Sequence, residues 1–95
     1  MAVLGVVDSI LTFSEASLLQ AAYGRDDVVL WTCYKFPKDY PTKFVARPSL
    51  ARRQLVFHGV VMADDIDGLR DMLPRGLTCL GKNPGDDKKI IEVWV

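Results

Sequence analysis

Apolar positions in this chain fall in short runs, and their spacing separates strands from helices. Val28-Val29-Leu30-Trp31-Thr32-Cys33-Tyr34 is almost continuously apolar or aromatic. Such a run predicts a central strand covered on both faces. Pro37 and Pro41 bracket a loop around Lys38-Asp39-Tyr40. Proline cannot serve a central ladder, so the strand ends by Phe36. Residues 43–47 read as a return strand, with Phe44 and Ala46 facing one way and Lys43, Val45 and Arg47 the other. Pro48-Ser49 is expected to break it. Residues 53–58 read as a further strand, with Gly59 as a bend and Val60-Val61-Met62 as its continuation. Residues 77–80 form a short strand, and residues 90–95 close the chain as another. In that last strand Ile91, Val93 and Val95 share one face, and Ile90, Glu92 and Trp94 the other. Residues 2–7 are rich in β-branched valine and read as a strand rather than the start of a helix running into residues 10–13.

Two segments carry the helical period. Ser14 is the expected N-cap of the first, with Glu15 well placed in the opening turn. Leu18, Leu19, Ala22 and Tyr23 then point one stripe inward. Gly24 supplies the stop through a left-handed conformation, and Arg25-Asp26-Asp27 is a solvated turn. The second helix spans residues 65–73, capped by Asp64, with Asp65 and Asp67 at the positive end of its dipole. Ile66, Leu69, Met72 and Leu73 make its apolar stripe, and Pro74 ends it. Residues 81–87 hold turn formers and charges and read as a loop.

In order, this is β-α-β-β-α-β plus a C-terminal strand, which resembles the ferredoxin-like arrangement. The expected fold class is α+β: a small two-layer sandwich with two short helices on one face of a mostly antiparallel sheet of four to six strands. Residues 1–95 make a single domain. Residues 1–13 enter it as a native strand or stand as an accessory arm. There are no internal repeats and no low-complexity tracts.

Composition narrows the function classes. Apolar residues at 49% and charged residues at 25% give the mix of a soluble globular domain. Lys plus Arg is 12 and Asp plus Glu is 12, so the net charge is zero. That excludes a strongly basic nucleic-acid protein and an acidic disordered tail. No apolar run approaches the roughly 18–20 residues of a membrane span. No basic residue precedes residues 2–7 and Asp8 interrupts them, so no secretory leader is visible. A cytoplasmic location is the expectation. Cys33 and Cys79 lie 46 residues apart, each within an apolar run, and both are expected as free core thiols.

The charges are unevenly placed. Residues 33–58 hold Lys35, Lys38, Lys43, Arg47, Arg52 and Arg53 against only Asp39, a net charge of +5. Tyr34, Phe36, Tyr40, Phe44 and Phe57 are interleaved with them. Cations neutralise phosphates and aromatic faces stack on bases, so the segment is a candidate nucleic-acid or polyanion surface. The favoured alternative is a hairpin with a wet charged face, whose charges also discourage edge pairing.

Other candidates for chemistry are weaker. His58 is the single histidine; its unperturbed pKa of about 6.5 suits acid–base work. Cys33, His58 and an aspartate could converge as a thiol nucleophile, or Cys33, Cys79 and His58 as a metal site. A mid-strand thiol such as Cys33 is more often inert. Asp64-Asp65 is accounted for by helix capping, and Asp86-Asp87 by a solvated turn beside Lys88-Lys89. No P-loop, nucleophile elbow or dinucleotide fingerprint occurs. No cofactor, metal or catalytic set is therefore expected. The leading reading is a non-enzymatic interaction domain that self-associates through a sheet edge. Its candidate contact is the terminal strand, through Ile91, Val93, Trp94 and Val95, because both faces of that strand are largely apolar and no residue follows to cover an edge.

Overall fold

A computed structural model of the chain describes residues 8–82 and 87–95. In chain order the elements are β1 (Ser9–Ile10), α1 (Phe13–Tyr23), β2 (Val29–Lys35), β3 (Phe44–Leu50), β4 (Leu55–Val56), β5 (Gly59–Ala63), α2 (Ile66–Met72), β6 (Cys79–Gly81) and β7 (Ile90–Trp94). The α+β expectation holds: one mixed sheet and two helices. The strand count does not, because the described residues alone form a sheet of seven strands where four to six were expected. Residues 53–62 divide into β4 and β5 at Phe57-His58, and Ser9–Ile10 adds a strand between the expected first strand and first helix. The element order is therefore not the β-α-β-β-α-β series. The strand expected at residues 2–7 lies outside the described residues.

The sheet runs β1-β5-β3-β2-β7-β6, with β4 also on β3. Near its middle lies β2, which carries the apolar run from Val29 to Tyr34. β2 pairs antiparallel with β3 over its whole length and with β7 on its other side. Period-two geometry sends Val29, Trp31 and Cys33 into the core and leaves Leu30, Thr32 and Tyr34 half-buried on the reverse face. Expected cover on both faces is thus found in full on one. The core gathers Ala16 from α1, Leu69 from α2 and Leu73 just after it, with Val29, Trp31, Cys33, Ala46, Leu50 and Val61 from the sheet. Both helices feed that one cluster. Gln20 accepts a 2.8 Å hydrogen bond from the indole of buried Trp31, and Tyr23 meets Phe57 edge-on at 5.1 Å.

Local chemistry explains the shifted boundaries. Thr12, not Ser14, caps α1: its hydroxyl accepts from Glu15 N–H, and Glu15 accepts from Thr12 N–H. That reciprocal pair is a capping box, which satisfies two amides where Ser14 could serve one. Gly24 closes α1 in a right-handed conformation, not the expected left-handed one. Asp65, not Asp64, caps α2, accepting from Gly68 N–H at 2.6 Å. Asp64 pairs with Lys43 instead.

Pro48-Ser49 does not end β3. The Pro48 carbonyl accepts from Phe57 N–H, so its nitrogen faces the same side, where the neighbour passes from β5 to β4. Proline cannot return the second bond of that pair, and the Phe57 carbonyl accepts from the Arg47 side chain instead, at 3.1 Å. Gly59 opens β5 rather than bending away, and a Cβ on it would lie 3.2 Å from the Leu11 side chain. In β7 a register shift opposite Cys33 and Tyr34 turns Glu92 and Trp94 toward the core and Ile90 and Val93 to the reverse face. The expected alternation through Ile91, Val93 and Val95 is therefore broken. No helix among the described residues is long and apolar enough to cross a membrane.

Candidate interaction surface

The terminal strand is not a border. β7 lies between β2 and β6, paired antiparallel to both, so the edge contact expected of Ile91, Val93, Trp94 and Val95 has no free backbone behind it. Among the described residues the border on this side is β6, a segment whose sequence predicts only a short strand.

Hydrogen-bond phase sets what β6 offers. Thr78 and Val95 exchange both backbone bonds, at 2.7 and 2.9 Å. The next residue of an antiparallel ladder turns its N–H and C=O the other way. Cys79, opposite Trp94, therefore points its backbone polar groups away from β7. Beyond it the register shifts, Leu80 becomes an extra residue, and Gly81 takes φ 74°, a left-handed conformation that suits glycine. Leu80 is 63% exposed.

Behind this border lies the uncovered half of the reverse face. A cleft of about 430 Å³ has Leu30, Thr32, Tyr34, Ile90 and Val93 as floor, and Leu80, Gly81 and Lys82 as wall. The other half of that face holds a smaller cleft of about 220 Å³, lined by Tyr34, Pro37, Asp39, Val45 and Arg47. There Asp8 takes both terminal nitrogens of Arg47, at 2.6 and 2.7 Å, and the Tyr40 hydroxyl at 2.9 Å. Val45 and Val60 are buried on that half. The Arg47 hydrogen bond holds the Asp8 carboxyl below its ordinary pKa against the opposing cost of burial.

On the helix side β6 meets a polar cluster. The Cys79 thiol lies 3.3 Å from Glu92 Oε2, and Arg70 reaches the same carboxylate at 3.0 and 3.3 Å. Glu92 is 6% exposed. The cluster ties α2 to β7 and β6. Sequence reasoning passed over Glu92 and Arg70; the available signal was one carboxylate inside the apolar run Ile90-Ile91-Glu92-Val93-Trp94.

The cysteines differ from each other. Cys33 is buried, and burial first, then the Glu92 carboxylate, pushes its thiol up to about 12. Cys79 is exposed, which corrects its expected core position. They form no disulfide, and β7 stands between them. Two strand spacings, about 9–10 Å, exceed the roughly 7 Å that a disulfide spans. His58 is exposed on the far side of β3 from Cys33, its carbonyl accepting from Ser9 N–H. Cys33, Cys79 and His58 therefore do not converge.

The six basic candidates do not share one patch. Lys35, Lys38 and Lys43 stand at one end of the β2–β3 hairpin, and Arg52 and Arg53 at the other. A strand of that length separates the ends by about 20 Å. Lys43 pairs with Asp64, Arg47 with Asp8 and Asp39, and Arg53 with Asp27 at 3.8 Å. Arg52 N–H donates to Asp27 and its side chain to the Asp26 carbonyl. Lys35 lies 5.5 Å from the Phe36 ring centre. No family model matches the chain, and no curated protein or solved structure matches it either.

Proposed function

We propose that this protein is a non-enzymatic interaction module that associates with itself through the β6 border of its sheet. The observation that carries this reading is the outward-facing N–H and C=O of Cys79 beside an exposed Leu80. Unpaired strand groups next to apolar surface are a template for a further strand. Cys79, Leu80 and Gly81 carry no charge to repel a further strand, and the shift at Leu80 confines the template to a short stretch. The chain's zero net charge also leaves two copies without long-range repulsion. Polyanion binding through Lys35, Lys38, Lys43, Arg47, Arg52 and Arg53 is less well supported, because carboxylates already neutralise Lys43, Arg47 and Arg53.

A border this short offers less than the roughly 1,200 Å² of stable complexes, so the association is weak. Sedimentation velocity is expected to show monomer at about 1 µM and dimer in the range of tens of micromolar. Monomer across that range ends the reading. Leu80→Asp is expected to weaken the dimer at least about tenfold without unfolding the chain, since Leu80 is mostly exposed already. An unchanged dimer in this variant moves the contact elsewhere.

A further inference from the structure

We infer that two copies meet about a two-fold axis at Cys79, forming an antiparallel pair of β6 strands and one continuous sheet across the dimer. This inference rests on the self-association reading above and specifies its register. In a symmetric contact the same patch must complement itself. Cys79 is the residue of the regular β6 ladder whose N–H and C=O face outward, a phase set by the exchange between Thr78 and Val95. Centring the axis on it lets Cys79 exchange both bonds with Cys79 of the second copy. Thr78 then stands beside Leu80 of the second copy, twice, on the face that carries the cleft. No charged side chain falls within residues 78–80, so no like charges oppose each other there. The shift at Leu80 and Gly81 ends the regular phase, which keeps the shared ladder short. The two clefts come to lie side by side, and the exposed Leu80 of each copy is covered at the seam.

The register has a chemical readout. A hydrogen-bonded pair places the two Cys79 Cα atoms about 5.5 Å apart, within reach of a short bismaleimide. Each thiol adds across one maleimide double bond, its sulfur bonding to one alkene carbon and its proton passing to the other. Cys33 is buried and stays protonated, so it does not compete. The experiment treats the full chain with bismaleimidoethane on either side of the concentration at which sedimentation detects dimer. Wild type and Cys33→Ser are expected to give a covalent dimer only above it. Cys79→Ser and Leu80→Asp are expected to lose that product. A sedimenting dimer that does not cross-link through Cys79 overturns this register while self-association stands. Monomer at every concentration overturns both. Cross-linking that Leu80→Asp leaves unchanged reflects collision alone and also overturns the register.

Discussion

Asp8 ties the start of the described chain to the reverse face of the sheet, so its charge state belongs to the fold. Two Arg47 nitrogens and the Tyr40 hydroxyl hold the carboxylate, and its side chain is 12% exposed. Its pKa is depressed on folding, chiefly by Arg47. The stability it contributes is therefore present above its unfolded pKa of about 3.9 and is lost as pH falls through the lower folded value. Asp27 follows the same sign by another route. Burial pushes its carboxyl up, but backbone N–H bonds from Arg52, Val28 and Arg53, with the Arg53 charge, outweigh it and leave the pKa lowered. Urea midpoints are expected to fall as pH drops below about 4. Asp8→Asn is expected to cost about 2 kcal/mol at pH 7 and to flatten that acid slope. An unchanged slope would mean that Asp8 does not hold the reverse face.

Caps test the helices one at a time. The capping box at Thr12 and Glu15 closes the start of α1, and Ser14 is already inside the helix. Thr12→Ala is expected to destabilise by about 1 kcal/mol and Ser14→Ala by less than about 0.5 kcal/mol, both read from urea unfolding. Equal losses would return the cap to Ser14. Asp64 and Asp65 teach a similar lesson, since adjacent carboxylates both suit a cap and only Asp65 reaches Gly68 N–H. The α2 stripe was legible from spacing alone: Ile66, Leu69 and Met72 all pack in the core cluster, as does Leu73 after the helix. The α1 stripe was not: Leu19 and Tyr23 pack inward as expected, but Leu18 is 70% exposed, Ala22 faces solvent and Ala16 is the residue buried in the core. What spacing also left out is the phase of a single residue at each end. That phase depends on which side chain can turn back to an open amide.

The assembled molecule carries balanced charge, and its proposed contact is built from backbone groups and an apolar side chain. Screening by salt should therefore matter little to the dimer. Sedimentation between about 50 mM and 500 mM salt is expected to move the dimer midpoint by less than about threefold. A steep fall with salt would point to charge pairing, and salt-sensitive capture of an oligonucleotide would favour the dispersed basic residues instead. The contrast between the two halves of the reverse face is also a property at this level. One half is crossed by the Asp8, Arg47 and Tyr40 contacts beside a cleft of about 220 Å³, and the other leaves Leu30, Thr32 and Tyr34 half-buried in a cleft of about 430 Å³.

Hydrophobic patterning identified β2 as a central strand of the sheet, the existence of both helices and the closing strand. Each of those features records which side of a local segment meets apolar neighbours, and side-chain spacing carries that record directly. The neighbours themselves emerged from long-range pairing. Folding put β7 between β2 and β6, made β6 the border, carried β3 through Pro48 and brought Arg70 and Cys79 to Glu92. Strands join through backbone N–H and C=O groups, which every residue but proline carries alike. A border is therefore defined by the strand that finds no partner, and no spacing of side chains along one segment encodes that.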